Sequence, residues 1–534
     1  MTIPDFIRRI GTLSEDDPYE VVLTRQVLIT AVVSLFFLHG YYYVYQYLYH
    51  APGMSLYNAQ RELTRVFCWL ILLQIGTVLW FKRHRVVPGV YRFLIQPDHA
   101  FNLGIFRLVI SFFLLTDVAF IYNSYNFWLA IPDAPRVSLP FMGWFIQHVP
   151  ITPELYQGLF WVSVVSGITS LVGWQTRASL VVFTCSAFYV CGVPNFFGKM
   201  NHNQIIIWLS AILAVSPCGD ACSLDRMLLK QREPLAPSAR YGFPLKIIGL
   251  LLGVVYFSSG FHKLWDNGLH WALTDSAWNQ FRMEWVEHYD TLPIFRIDQY
   301  PNLCRIGALL VIAWELLFVF MLFSRHLRLA ALLGGVCMHT ITGLFLYIFF
   351  SIVVVTYSSQ IDWWGMLGRF RKWEQPAAAK LLPTRAQWLT GGVLVVVNLA
   401  FGLFQVHSWP FSSYPSYSNL VPGTIRSVTF LATTPAGAPL DVYAEARAVR
   451  FKKENYRRFE DQLIEGLRIN PDTLQHAQVK LYWQIWQQHV PVLQNARLTA
   501  AFLDETSLEP EKRHIRIRRD TLYYDVRPTT RSAP

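Results

Sequence analysis

Between residues 25 and 407 the chain is a succession of apolar runs separated by short polar connections. A helix rises about 1.5 Å per residue, so about 20 apolar residues cross a hydrocarbon core. The pattern predicts about eleven spanning helices, over residues 25–47, 63–81, 103–124, 154–174, 178–197, 204–217, 244–262, 302–323, 328–344, 346–361 and 386–407. The block 328–361 is short for two spans and reads also as one long helix followed by a re-entrant piece. After Ser408-Trp409-Pro410-Phe411, with Tyr414 and Tyr417 beyond it, the pattern becomes that of a soluble domain; aromatics of this kind sit at membrane surfaces. There Leu463, Ile464 and Leu467 recur at helical spacing, and residues 479–486 extend a second helix. Residues 513–526 alternate like a strand, with Ile515 and Ile517 on one face and Arg516 and Arg518 on the other. The fold class is an all-α polytopic membrane protein with a small C-terminal α+β domain.

Composition agrees. The chain is 53% hydrophobic and only 15% charged, against about 25% charged in soluble domains. A net charge of +11 raises the question of nucleic acid, but much of the excess lies in short loops: Lys82-Arg83-His84-Arg85, Gln175-Thr176-Arg177, 226–232, Arg325-His326-Leu327-Arg328 and Arg369-Phe370-Arg371-Lys372. These fall on one side of the predicted topology, as the positive-inside rule requires. They place the N-terminus, with Arg8 and Arg9, in the cytoplasm and the C-terminal domain outside, and no nucleic-acid partner is expected. The first apolar run is long enough to stay in the membrane rather than be cleaved. An integral protein of a bacterial inner membrane fits, and an endoplasmic reticulum membrane fits nearly as well.

Seven cysteines are scattered. Cys68, Cys185, Cys191 and Cys337 lie in apolar runs, and no second pair joins Cys218 and Cys222, so no metal site is expected. Phosphate loops, nucleophile elbows and dinucleotide fingerprints are missing from the sequence.

The chemistry is carried by polar residues at membrane depth, which are functional candidates by default. The foremost group is Gly198-Lys199-Met200-Asn201-His202-Asn203, set between two apolar runs on the outer side. A desolvated lysine loses its proton readily and becomes a base. Asn201, His202 and Asn203 within one turn suit orientation of a substrate or stabilisation of an oxyanion. The simpler reading is an interfacial lysine that ends a span. Arg107 and Asp117 lie ten residues apart on one span, about 15 Å along the axis, so each needs a partner from another helix. His262 and Lys263 stand near the outer end of the seventh span, where Lys263 either snorkels to the interface or frames a site. Glu315, in the eighth span, must be neutral or paired; it serves packing or a proton relay. His339 reads as a hydrogen-bonded packing element.

In order along the chain, these residues resemble a known family. Gly104-Ile105-Phe106-Arg107 with Asp117, the Lys199 group running on to Ser223-Leu224-Asp225, the stretch Val255-Tyr256-Phe257-Ser258-Ser259-Gly260-Phe261-His262-Lys263-Leu264-Trp265, Trp314-Glu315-Leu316-Leu317 and His339 are similar to the horizontally transferred transmembrane domain. That family includes the vitamin K-dependent gamma-glutamyl carboxylase. The resemblance covers about residues 100–365 and sets the domains: 1–99 for N-terminal membrane helices, 100–365 for the carboxylase-like domain, 366–410 for the last span and its flanks, and 411–534 for the extracytoplasmic domain. It implies an enzyme of lyase or oxygenase type. A reduced quinone of the vitamin K type, with oxygen and carbon dioxide, would be used to modify a peptide or small molecule at the outer face. Lys199 would be the base and His202 its catalytic neighbour. Asn201, Asn203, His262, Lys263 and Trp265 would orient the quinone and frame its pocket, with Arg107, Asp117, Glu315 and His339 in structural or relay roles.

Two other functions stay open. One is a non-enzymatic scaffold that matures or exports a secreted partner through the outer domain, around Trp483 and Trp486. The other is a transporter using Glu315 and Asp117, although no pair of interrupted helices in matching halves is visible. Partners on any reading are membrane lipid and, on the first two, a secreted peptide or protein.

Overall fold

A computed structural model describes residues 56–125, 141–196, 204–228, 235–288, 291–371, 377–414, 417–449, 474–512 and 515–524. The predicted span 25–47 lies outside the described residues, as do Lys199, Asn201, His202, Asn203, Leu463, Ile464 and Leu467.

The main helices before the C-terminal sheet are α1 (Leu56–Phe81), α2 (Arg83–Leu94), α3 (Ala100–Tyr125), α4 (Pro153–Val172), α5 (Thr176–Gly192), α6 (Gln204–Ala214), α7 (Ala239–Asn267), α8 (Ser276–Glu287), α9 (Pro301–Met321), α10 (Arg325–Phe345), α11 (Ser351–Thr356) and α12 (Arg385–Leu403). Among the described residues six are long and apolar enough to cross a membrane: α3, α4, α7, α9, α10 and α12. Two more, α5 and α6, are apolar but shorter. The count of eleven is thus not reproduced by full-length helices. In particular, 346–361 is no spanning helix: α10 ends at Phe345, Tyr347 takes a left-handed φ of 57°, and an irregular stretch precedes the short α11 and a 3-10 turn, Tyr357–Gln360.

Local sequence sets the helix ends. Thr152 accepts a hydrogen bond from Leu155 N at 3.2 Å, Pro153 opens α4, and Gly173 closes it at φ 73°. Thr384 and Gln387 form a reciprocal capping box at the start of α12. The bundle is built around α7: 83% of its most apolar window is buried, against 22% for α9 and for α10.

Contacts divide the bundle into two ends. At one, Asp98 bridges Ser238, Asn102 donates to Asp362 at 3.1 Å, and Phe93 meets Phe323 at 4.7 Å. The 173–177 and 217–226 turns join there, as Gln175 and Thr176 donate to Asp225. Described parts of the basic loops therefore gather at one end, as alternation of the spans requires. At the other end Trp409 donates to Phe188 O at 2.9 Å and Trp208 to Pro410 O at 2.9 Å.

Beyond α12 an antiparallel sheet in the order β2-β1-β3-β4 is formed by β1 (Thr424–Thr433), β2 (Pro439–Leu440), β3 (Arg497–Ser507) and β4 (Arg516–Tyr524). Helices α13 (Val442–Ala448) and α14 (Leu474–His489) accompany it. Phe430 of β1 packs on Tyr482, Trp483 and Trp486 of α14 at 5.5, 5.2 and 5.6 Å. The linker before β1 is held by side chains from the end of α7 and the stretch between α7 and α9. Trp271 donates to Tyr417 O, Asn267 to Ser418 O, Gln280 to Asn419 O and Asn279 to Val421 O, while Ser276 accepts from Val421 N. One charged contact adds to this tether, Arg296 to Glu511 at 2.9 Å.

Candidate functional site

The central helix α7 carries Tyr256, Ser259 and Lys263 at spacings of three and four, which put them on one face. Lys263 Nζ lies 2.7 and 2.8 Å from the two carboxylate oxygens of Glu315 on α9 and 2.8 Å from Ser259 Oγ. Ser259 in turn donates to Glu315 Oε1 at 3.1 Å. The Lys263 and Glu315 side chains are only 3% and 7% exposed. The ring of Trp271 covers the ammonium at 5.1 Å from its centroid. Lys263 therefore does not snorkel. Its three donor positions are met by Glu315 and Ser259, and Glu315 is paired. Gly260 permits this: a Cβ there would stand 2.9 Å from Glu315 Cβ.

One residue earlier, His262 is fully buried. Its Nε2 lies 2.7 Å from Gly402 O, so that nitrogen carries the proton, and Nδ1 accepts from Gln405 Nε2 at 3.0 Å. Gln405 also donates to Asp266 at 3.0 Å. Both nitrogens are thus used to hold the end of α12. Trp265 is packed by Phe261 at 5.4 Å, Trp69 at 5.7 Å and the Arg65 guanidinium at 5.3 Å.

The segment that follows α12 returns over the helices that flank residues 197–203. A side chain at Gly192 would run into the Trp409 indole, which is 2.8 Å from a Cβ built there. Trp208, one turn after Gln204, stacks on Phe411 at 6.2 Å and meets Tyr414 edge-on at 5.9 Å. Asp117 is half-buried and makes no hydrogen bond or ion pair with a described residue; it is an electrostatic neighbour of Cys191, near the end of α5. His262, Asp117 and both borders of the Lys199 segment thus share one end of the bundle.

Arg107 belongs to the opposite end. It is fully buried and donates to the carbonyls of Cys218 and Cys222, not to a carboxylate. Asp225, in the same turn, accepts from Gln175 N at 2.7 Å and from Thr176 N and Oγ at 2.9 and 2.7 Å. It caps α5 from 49 residues away. His339 sits at membrane depth with its Nε2 2.7 Å from Tyr256 Oη, and Tyr256 Oη is 2.5 Å from Tyr357 Oη. The predicted residues that are described hence fall into four groups, around Lys263 and Glu315, His262, Arg107 and His339. Ser259, Trp271, Tyr256, Tyr357 and Gln405 complete them. The three-and-four spacing of Tyr256, Ser259 and Lys263 is a signal in the sequence that could have found two of these. Among the described residues no group of histidine, cysteine, aspartate and glutamate has the arrangement of a metal site.

A family model, the HTTM domain, matches residues 95–363. The chain belongs to the HTTM-domain family. This is the domain found in vitamin K-dependent carboxylase-like proteins, and its span takes in Arg107, the Lys199 segment, His262, the Lys263–Glu315 pair and His339. Neither a curated protein nor a solved structure gives a significant match. The C-terminal sheet lies outside the HTTM match.

Proposed function

We propose that this HTTM protein is a membrane enzyme of the carboxylase type, with residues 197–203 as its reactive segment. The observation that carries the reading is the shared end of the bundle: the borders of that segment pack under residues 402–414, which also bind His262. Phe188, Trp208, Trp409 and Phe411 surround those borders with aromatic rings. Such surroundings fit the flat, apolar ring of a reduced quinone, which is the co-substrate together with oxygen and carbon dioxide. Lys199 acts there as an uncharged amine that takes the proton from a quinol hydroxyl. His202, Asn201 and Asn203 orient the hydroxyl and the oxygen that carries the resulting charge. His262 and Lys263 act from behind. Their polar atoms are engaged by protein, so they fix α7 and the 402–405 segment instead of touching the quinone. The site faces the outer side of the membrane, where the C-terminal domain presents a peptide or small-molecule acceptor.

The test uses the full chain in lipid nanodiscs, supplied with a reduced naphthoquinone and oxygen. Quinone epoxide is followed by mass spectrometry for the wild type and Lys199→Met. Epoxide from the wild type alone is the expected result. Equal epoxide from both removes Lys199 as the base. None from either, with several quinones tried and the protein intact, overturns the enzyme reading in favour of a scaffold for a secreted partner.

A further inference from the structure

The turns 173–177 and 217–226 enclose a cavity of about 300 Å³ at the Asp98 end of the bundle. That is the lower end of the size range for small-molecule sites. Four charged side chains line it: Arg177, Asp220, Asp225 and Arg226. Two of them are engaged by the fold. Asp225 accepts from Gln175 N and from Thr176 N and Oγ, and Arg226 donates to Asp220 O at 2.6 Å. The other two keep unused capacity. Arg177 is exposed and makes no hydrogen bond or ion pair with a described residue. Asp220 accepts from Tyr241 Oη at 2.8 Å through Oδ2, and its Oδ1 has no partner among the described residues. The cavity thus offers a guanidinium from one turn and a carboxylate oxygen from the other.

The lining is balanced in charge, two arginines against two aspartates. A simple anion is drawn to the arginines but repelled by the carboxylates, and a simple cation meets the reverse. A ligand that carries both signs close together satisfies both unused groups. Phosphoethanolamine is such a ligand. Its phosphodiester oxygens accept from a guanidinium, and its ammonium donates to a carboxylate. A choline headgroup has no N–H with which to reach Asp220. A glycerol headgroup brings the phosphate charge without a cation to offset the aspartates.

The surroundings are those of a membrane surface. The 173–177 turn lies where α4 ends and α5 begins. Trp174 is exposed there, the usual setting of an interfacial tryptophan. Met227 and Leu228, directly after Arg226, are 72% and 69% exposed. On α5, Val181 and Val182 stand one turn beyond Arg177 and Ala178, which line the cavity, and both valines are exposed. The polar cavity therefore continues into an apolar strip along which acyl chains can lie. We propose that it binds the phosphoethanolamine headgroup of a membrane phospholipid, with Arg177 on the phosphate and Asp220 on the ammonium. The site needs no chemistry at residues 197–203, so it stands or falls separately from the carboxylase reading.

The test is native mass spectrometry of the full chain in detergent. The delipidated protein is offered equal amounts of phosphatidylethanolamine, phosphatidylglycerol and phosphatidylcholine with identical acyl chains. The wild type should retain phosphatidylethanolamine in preference to both others. Arg177→Gln should lower that retention about threefold, the order expected for one charged contact near a surface. Asp220→Asn keeps an acceptor for Tyr241 and should bring phosphatidylethanolamine down to the level of phosphatidylcholine. Arg385→Gln, at the exposed first residue of α12, removes a charge away from the cavity and should change nothing. An excess of soluble glycerophosphoethanolamine should leave the lipid bound. Equal retention of the three lipids, stronger retention of phosphatidylglycerol, or a preference that survives both cavity variants overturns the proposal. So does an equal loss in Arg385→Gln, and displacement by the soluble headgroup overturns the lipid as occupant. Lipid-free melting temperatures confirm that each variant folds; if Asp220→Asn does not, Arg177→Gln decides alone.

Discussion

Lys263 and Glu315, 52 residues apart in sequence, close a buried ion pair between the central helix α7 and α9, with Nζ 2.7 Å from Oε1. The pair is not isolated. Ser259 bonds both members, and the Trp271 ring that covers Lys263 donates from its indole nitrogen to Tyr417 O in the linker to the C-terminal sheet. Packing inside the membrane is thereby connected to the mounting of the C-terminal domain through one tryptophan.

Removing only one member should be severe. A buried charge left without its partner costs about 3–5 kcal/mol, although replacing a whole pair by apolar groups is often neutral. Lys263→Met should therefore lower the melting temperature of the protein in detergent strongly. Lys263→Met combined with Glu315→Leu should recover much of the loss. If the double variant melts no higher than the single one, the pair is not the source of the effect.

Gly260 sets how closely α7 and α9 approach. Small residues serve this purpose where helices cross in a membrane. A Cβ at 2.9 Å from Glu315 Cβ and 3.2 Å from Leu316 Cγ leaves no room. Gly260→Val should destabilise by about 1–3 kcal/mol, the usual cost of overpacking. Gly392, which has nothing within 4 Å of such a Cβ, is the control: Gly392→Val should leave thermal unfolding nearly unchanged. Equal losses at the two positions would show that glycine is required for helix flexibility instead of close packing.

Much of the architecture was legible because lipid enforces it. Spans must be apolar and about 20 residues long, and basic loops must alternate, so the bundle and the grouping of its loops followed from the pattern. The helix over residues 479–486 followed as well and lies within α14. What pattern does not encode is which distant residue meets which. Lys263 stands near a helix end, where snorkelling is available, and only the fold brings Glu315 to it. Arg107 was expected to need another helix and instead found carbonyls of the 217–223 turn. Tyr357 lay hidden in a block that resembled half a span. In the C-terminal domain, alternation in β4 marked a strand but not a buried face: Ile515 and Ile517 are 47% and 55% exposed, and Leu522 is the buried side chain.

Asp225 is expected to matter for folding, not for chemistry, although it belongs to the stretch that resembles the family. It satisfies two backbone donors at the start of α5. Burial alone would raise its pKa, but the hydrogen bonds from Thr176 and Gln175 outweigh burial and hold the carboxyl below its ordinary value. Asp225→Ala should cost about 1–2 kcal/mol, as the loss of a helix cap does. Epoxide formation per folded molecule should be unchanged. A loss of turnover in folded Asp225→Ala protein would place this end of the bundle in the mechanism.

The tether between the α7–α9 stretch and the C-terminal sheet should be sensitive to acid. The hydrogen bond from Arg296 holds the Glu511 carboxyl below its ordinary pKa. At Asp298 burial pushes the pKa up, but hydrogen bonds and charge from Arg296 and Arg282 outweigh it and the net shift is downward. A carboxyl whose folded pKa is depressed adds stability above its unfolded pKa, and that contribution is lost as pH falls through the folded value. Between neutrality and about pH 5 the tether should hold; below about pH 4, the range in which ordinary Asp and Glu titrate, it should progressively release. Deuterium uptake across 417–421 should then rise on acidification. Glu511→Gln should raise uptake already at pH 7 and flatten part of the pH dependence, with the remainder due to Asp298. Arg296→Gln, which takes the Glu511 partner and one of the two Asp298 partners, should raise it further. If uptake in this linker is the same at pH 7 and in acid, the five side-chain bonds to its backbone hold the domain without help from Arg296.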